Sequence, residues 1–247
     1  MDGHLERAGA ERGRQPMRNR VTPLGDIVAI EQRGAWLGNR GVLHEGTDVV
    51  RFHRSDLWII CRLKYRDWRL AQWQPGHFTV LYFFDEAVAL AAGHRPCALC
   101  RRADYNAFRQ AWLAGADPAE ASPGTEAAAK AAARRTGATT LAGALPLAKE
   151  LDRQLHAERI VRGTHRRRLH AMSWQALPQG TFVAFDGRPG MVLADSVHPW
   201  TPEGYLQPLP RPGSGTVEVI TPPSTVAALR GGYRPQLDAG ALVGWSG

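Results

Sequence analysis

Two stretches of β-branched and aromatic residues rise out of polar surroundings: DLWIICRLKY (56–65) and HFTVLYFF (77–84), the second preceded by a QPG turn. Both read as strands. VTPLGDIVAI (21–30) reads as a shorter strand after a turn, and the glycine-punctuated RGAWLGNRGVLH (33–44) reads as a shaped loop. The pattern then changes period. DEAVALAAG (85–93) predicts a helix with Asp85 as N-cap and Gly93 as its stop. RADYNAFRQAWLAG (102–115) predicts a second, because Tyr105, Phe108 and Trp112 fall on one face. LAKELDRQLHAERIV (147–161) predicts a third, with Leu151, Leu155 and Ile160 as its apolar stripe.

From Gly180 to Ile220 the short runs GTFVAF, GMVLAD, GYLQPL and GTVEVI alternate with Pro/Gly turns. That spacing predicts a small antiparallel sheet or partial barrel, with HPWTPEGY (198–205) as a turn between strands. STVAALRGG (224–232) predicts a closing helix capped by Ser224. The fold class is therefore α+β. A zinc-knuckle domain over 18–115 has short strands and two helices, and a helix plus a β-rich region fills 147–247. Residues 1–17 read as a polar, disordered lead-in. Residues 116–146, alanine-rich and nearly free of large apolar side chains, read as a flexible linker or arm.

Composition narrows the classes. Hydrophobic residues make up 44% of 247, enough for a real core, yet no apolar run reaches membrane-spanning length. The N-terminus lacks the apolar segment of a secretory signal. With only three cysteines, a disulfide framework is not expected, and a reducing cytoplasm is the expected location. The net charge of +8 comes mainly from arginine and favours an anionic partner, nucleic acid first. An arginine- and alanine-rich proteome would produce the same balance. No P-loop, GxGxxG or GxSxG motif is present.

The strongest chemical signal is GHRPCALCRR (93–102). Cys97 and Cys100 can point both sulfurs at one ion while the backbone turns between two helices, and the neighbouring arginines favour thiolates. A redox pair and two plain core cysteines are the rival readings. A closed zinc site needs four ligands. Cys61 is the third candidate and His44 the fourth, with His53, His77 and His94 also near in sequence. The expected cofactor is Zn2+.

Residues 83–104, FFDEAVALAAGHRPCALCRRAD, resemble the second half of the metal-binding domain of Ada-type DNA alkylation-repair proteins. The resemblance matches Cys97 and Cys100 to that domain's second pair of zinc cysteines. The domain's first pair is a C-x-x-x-C whose leading cysteine accepts a methyl group from phosphate. Here Cys61 stands alone and Tyr65 occupies the second position. The resemblance thus implies a zinc knuckle near nucleic acid, DNA favoured, without methyl transfer. The blocks GNRG…LH, GHRPC…CRR and LHAER also resemble a bacterial family of unassigned function.

Two further clusters complete the reading. Asp152 and His156 stand at i, i+4 on one predicted helix, where a carboxylate orients an imidazole as a base. With a metal, that pair suggests a nuclease or phosphodiesterase; the bland reading is a surface helix. RGTHRRRLH (162–170) places Arg162, Arg166, Arg167 and Arg168 where phosphate contacts are expected, with Trp174 near enough to stack on a base. A zinc-stabilised interaction module that ignores nucleic acid is the third reading.

Overall fold

The computed structural model describes residues 16–116 and 145–238. Almost all of the segment read as a linker lies outside them, as does nearly all of the lead-in. The described chain is α+β, and none of its helices is long and apolar enough to cross a membrane.

The N-terminal part forms a six-stranded mixed sheet. Its strands are β1 (Arg18–Val21), β2 (Ile27–Ala29), β3 (Trp36–Asn39), β6 (Ile59–Cys61), β7 (Leu81–Phe83) and β8 (Arg95–Pro96). Their order is β2-β1-β7-β3-β6-β8, with β1–β7 and β6–β8 parallel and the other pairs antiparallel. A small hairpin, β4 (His44–Glu45) and β5 (Asp48–Val49), stands beside it.

The segment read as a glycine-rich loop carries β3, a central strand. Gly38 is there for close approach rather than for a turn: a Cβ would sit 2.5 Å from Cε2 of Phe83. Strands β6 and β7 occupy only the middles of the runs that predict them.

Four helices lie among the described residues: α1 (Glu86–Ala91), α2 (Arg102–Gly115), α3 (Ala148–Arg159) and α4 (Pro223–Arg230). Asp85 caps α1 by accepting from the Val88 N–H at 2.9 Å, as its position predicts. The N-cap of α4 is Pro222, not Ser224, and Pro223 fits the first turn because it has no N–H to satisfy. Ser224 instead donates its N–H and hydroxyl to Glu158 of α3, at 2.9 and 2.7 Å. A carboxylate from another helix thus takes over the capping role.

The C-terminal part is an antiparallel sheet. It contains β9 (His170–Ser173), β10 (Phe182–Phe185), β11 (Arg188–Val192), β12 (Ser196–Thr201), β13 (Gly204–Tyr205), β14 (Leu209–Pro210) and β15 (Thr216–Val219). Its order is β13-β12-β11-β10-β15-β9, with β14 pairing β12. HPWTPEGY is not merely a turn: it holds the end of β12 and all of β13.

Alternation divides this sheet between two cores. Phe182, Met191 and Ile220 face a cluster shared with Phe83, Leu90, Phe108 and Leu151; Val183, Val192 and Val219 face a smaller one around Trp174 and Val226. Each fully buried Phe or Leu contributes roughly 1.5–3 kcal/mol. The larger core draws on residues from Val21 to Tyr233. A buried polar knot joins the same regions: Glu86 pairs with Arg101 at 2.8 Å and accepts from the Tyr233 hydroxyl at 2.6 Å and the Gln236 N–H at 2.9 Å.

Candidate metal centre and its surroundings

Cys97 and Cys100 follow β8 directly, and Cys61 ends β6. These two strands run parallel, with Ile59 opposite Arg95 and Ile60 opposite Pro96. The next step of the ladder sets Cys61 beside Cys97. The Cys97 N–H donates to Ile60 O at 3.0 Å, and the Arg101 N–H closes the turn on Cys97 O at 3.1 Å. The sulfurs of Cys61, Cys97 and Cys100 lie within 4.8 Å of one another and can hold a metal ion. Among the described residues no other His, Cys, Asp or Glu joins them.

The local electrostatics suit a cation. Cys97 Sγ accepts from the Leu99 N–H at 3.4 Å and from the Cys100 N–H, and Cys100 Sγ accepts from the Arg62 N–H. Backbone amides aimed at sulfur stabilise thiolate over thiol. Hydrogen bonds from Cys100 and Cys61, outweighing burial, hold the Cys97 thiol well below its ordinary range. Cys61 is pushed up because it donates to Cys100 and Cys97 and is largely buried. Three sulfurs this close do not all ionise without a cation among them. Cys97 and Cys100 are buried, and all three cysteines are free of disulfides.

The other expected site residues are elsewhere. His44 sits in the β4–β5 hairpin, its Nδ1 2.7 Å from the Thr79 hydroxyl and its ring edge-on to Trp73 at 5.3 Å. It does not join the sulfurs; β3 runs away from Cys61, which pairs with Leu37, before the chain reaches His44. His94 turns the opposite way and accepts from Arg40 Nε at 3.1 Å.

The expected Asp152–His156 pair is not assembled. Both Asp152 oxygens are held by Arg95 at 2.7 Å in a buried fork. His156 Nδ1 lies 2.9 Å from Arg159 Nη2, and its Nε2 lies 3.5 Å from Asp56. An i, i+4 spacing shows that two side chains share a helix face; it does not say which third residue claims one of them. Of the basic run, Arg162, Arg166 and Arg168 are exposed. Arg167 is not: its guanidinium donates to the carbonyls of Ala91, Ile220 (2.7 Å) and Arg159 (3.4 Å).

Sequence reasoning missed a third group. Arg40, Arg159 and Arg167 converge on Trp58 and His94, which are both buried. Arg40 and Arg159 stack on the Trp58 indole with Cζ at 4.0 and 3.9 Å from its centroid. Arg159 and Arg167 stand near one another at the end of α3 and in the basic run already noted, but Arg40 lies in a distant segment, so no local pattern announces the group.

No protein-family model, no curated protein and no solved structure matches this chain.

Proposed function

We propose that Cys61, Cys97 and Cys100 hold one zinc ion as a structural clip in a nucleic-acid-associated protein. The observation that supports the clip is the meeting of three thiol groups from two separate strand ends, with amide N–H groups already directed at two of the sulfurs. Zinc suits the donor set: it favours thiolate, needs no redox partner and accepts a fourth, non-protein ligand such as water. The ion would neutralise the three thiolates and tie β6 to the start of α2. The nucleic-acid half is supported by the net charge of +8, by the exposed Arg162, Arg166 and Arg168 in one turn, and by the Ada-type resemblance of residues 83–104, which favours DNA.

Elemental analysis tests the clip. About one zinc per chain is expected in the purified protein, and none in Cys97→Ser or Cys61→Ser. Binding of labelled duplex DNA tests the partner. The affinity should fall steeply with salt. Replacing the three exposed arginines by glutamine should flatten log K against log salt by about 0.9 for each phosphate no longer neutralised. No binding at about 50 mM salt removes the nucleic-acid half and leaves the clip as that of an interaction module.

A further inference from the structure

Residues 62–80 join β6 to β7 with no helix or strand of their own. A connection of that length inside a packed fold is uncommon and usually carries function. The loop leaves directly from Cys61, and the Arg62 N–H donates to Cys100 Sγ, so its root is fixed to the thiol triad. Its first half, RLKYRDWRL (62–70), interleaves two kinds of side chain. Arg62, Lys64, Arg66 and Arg69 are all exposed, against one acid, Asp67. Among the described residues none of the four makes an ion pair with a carboxylate. Between them stand Leu63, Tyr65, Trp68 and Leu70, of which only Tyr65 is partly buried. Among the described tryptophans, tyrosines and phenylalanines Trp68 is the one that is exposed, with 57% of its surface in water.

A tight turn sets the two aromatics together. The Trp68 N–H donates to Tyr65 O at 3.3 Å, and between them Arg66 takes a φ of 52°. That left-handed conformation strains a residue with a Cβ, where a glycine would sit freely. The Tyr65 and Trp68 rings meet edge to face at 5.6 Å, and Arg66 Cζ lies 5.1 Å from the Tyr65 centroid. Tyr65 thus braces Trp68, whose indole is left to solvent.

We infer that this loop is a binding face for single-stranded DNA, which rests on the nucleic-acid reading above and adds to it the form of the strand. A single strand offers bare base faces between its phosphates, and aromatic rings and guanidiniums answer the two in turn. A duplex keeps its base faces stacked inside, out of reach of an indole. A membrane surface needs a continuous apolar face, whereas here a cation adjoins each of Leu63, Tyr65, Trp68 and Leu70 in the chain. The choice of DNA comes from the reading on which the inference rests.

Fluorescence anisotropy of a labelled oligothymidine about a dozen nucleotides long, beside a labelled duplex of equal length, tests it on the full chain. Trp68→Ala should weaken the strand about tenfold and the duplex by less than about twofold, with Tm unchanged because the side chain is exposed. Trp68→Phe, which keeps a ring to stack on, should restore most of the loss. Glutamine at Lys64, Arg66 and Arg69 should flatten log K against log salt by about 0.7 for each strand phosphate no longer neutralised. A strand affinity that Trp68→Ala leaves unchanged, or a loss that falls equally on strand and duplex, overturns this inference while the wider reading stands. No binding of either form at about 50 mM salt removes both. Oligouridine bound about tenfold more tightly than oligothymidine overturns the choice of DNA. Vesicles of phosphatidylserine and phosphatidylcholine that bind through Trp68 when the strand does not overturn it in favour of a membrane surface.

Discussion

Asp152 shows how a residue's chemistry depends on what reaches it. Read along the helix it is the partner of His156; in the fold it neutralises Arg95, whose other contacts are the Pro96 carbonyl at 3.0 Å and the Tyr105 ring at 5.1 Å. Asp152→Ala leaves a buried guanidinium without its anion and should cost roughly 3–5 kcal/mol in urea unfolding. Asp85 makes a prediction in pH. Burial, only partly offset by the Val88 N–H and the Tyr205 hydroxyl and reinforced by Glu86, raises its carboxyl from 3.8 to about 7. A raised folded-state value means that the folded chain holds a proton which the unfolded chain has released. Stability should therefore fall as pH rises from about 4 to about 7 and level off above. Asp85→Asn, which keeps an oxygen to cap α1, should flatten that slope in pH-dependent denaturation.

At the scale of elements, α2 and α4 touch backbone to backbone. A Cβ on Gly115 would overlap the Ala227 carbonyl, and one on Gly231 the Ala111 carbonyl. Neither glycine has a positive φ, so what each supplies is the absence of a side chain. Gly115→Ala should push the helices apart and cost about 3 kcal/mol, read as a lower urea midpoint; an unchanged midpoint would mean that the crossing is not tight. The helices were the legible elements. Asp85, the Tyr105–Phe108–Trp112 face and Leu151–Leu155 mark α1, α2 and α3 within a residue or two of their observed limits, because capping and 3.6-residue periodicity act within one segment. β3 was not legible: its defining feature, Gly38 under the Phe83 ring, depends on a partner more than forty residues away. Strand pairing is set between segments, and turn residues within a run hide it.

Across the whole molecule, the larger core and the Glu86–Arg101–Tyr233 knot bind the two halves of the described chain together. The thiol triad, the proposed metal clip, adjoins that knot through Arg101, the residue after Cys100. On the proposed zinc clip, chelation should therefore lower one cooperative thermal transition, seen alike by tryptophan fluorescence and far-ultraviolet circular dichroism, rather than melt a separate N-terminal unit. By itself the sequence determined the α+β class, the helices, the knuckle turn of Cys97 and Cys100 and the excess of positive charge. Each of these follows from neighbours within about a dozen residues or from composition. Only the tertiary structure decided that Cys61 completes the thiol triad while His44 does not, that Asp152 belongs to Arg95, and that Arg40 and Arg159 stack on Trp58. Those outcomes depend on which strands lie side by side and which side chains are shut away from water, and such distances exist only once the chain has closed on itself.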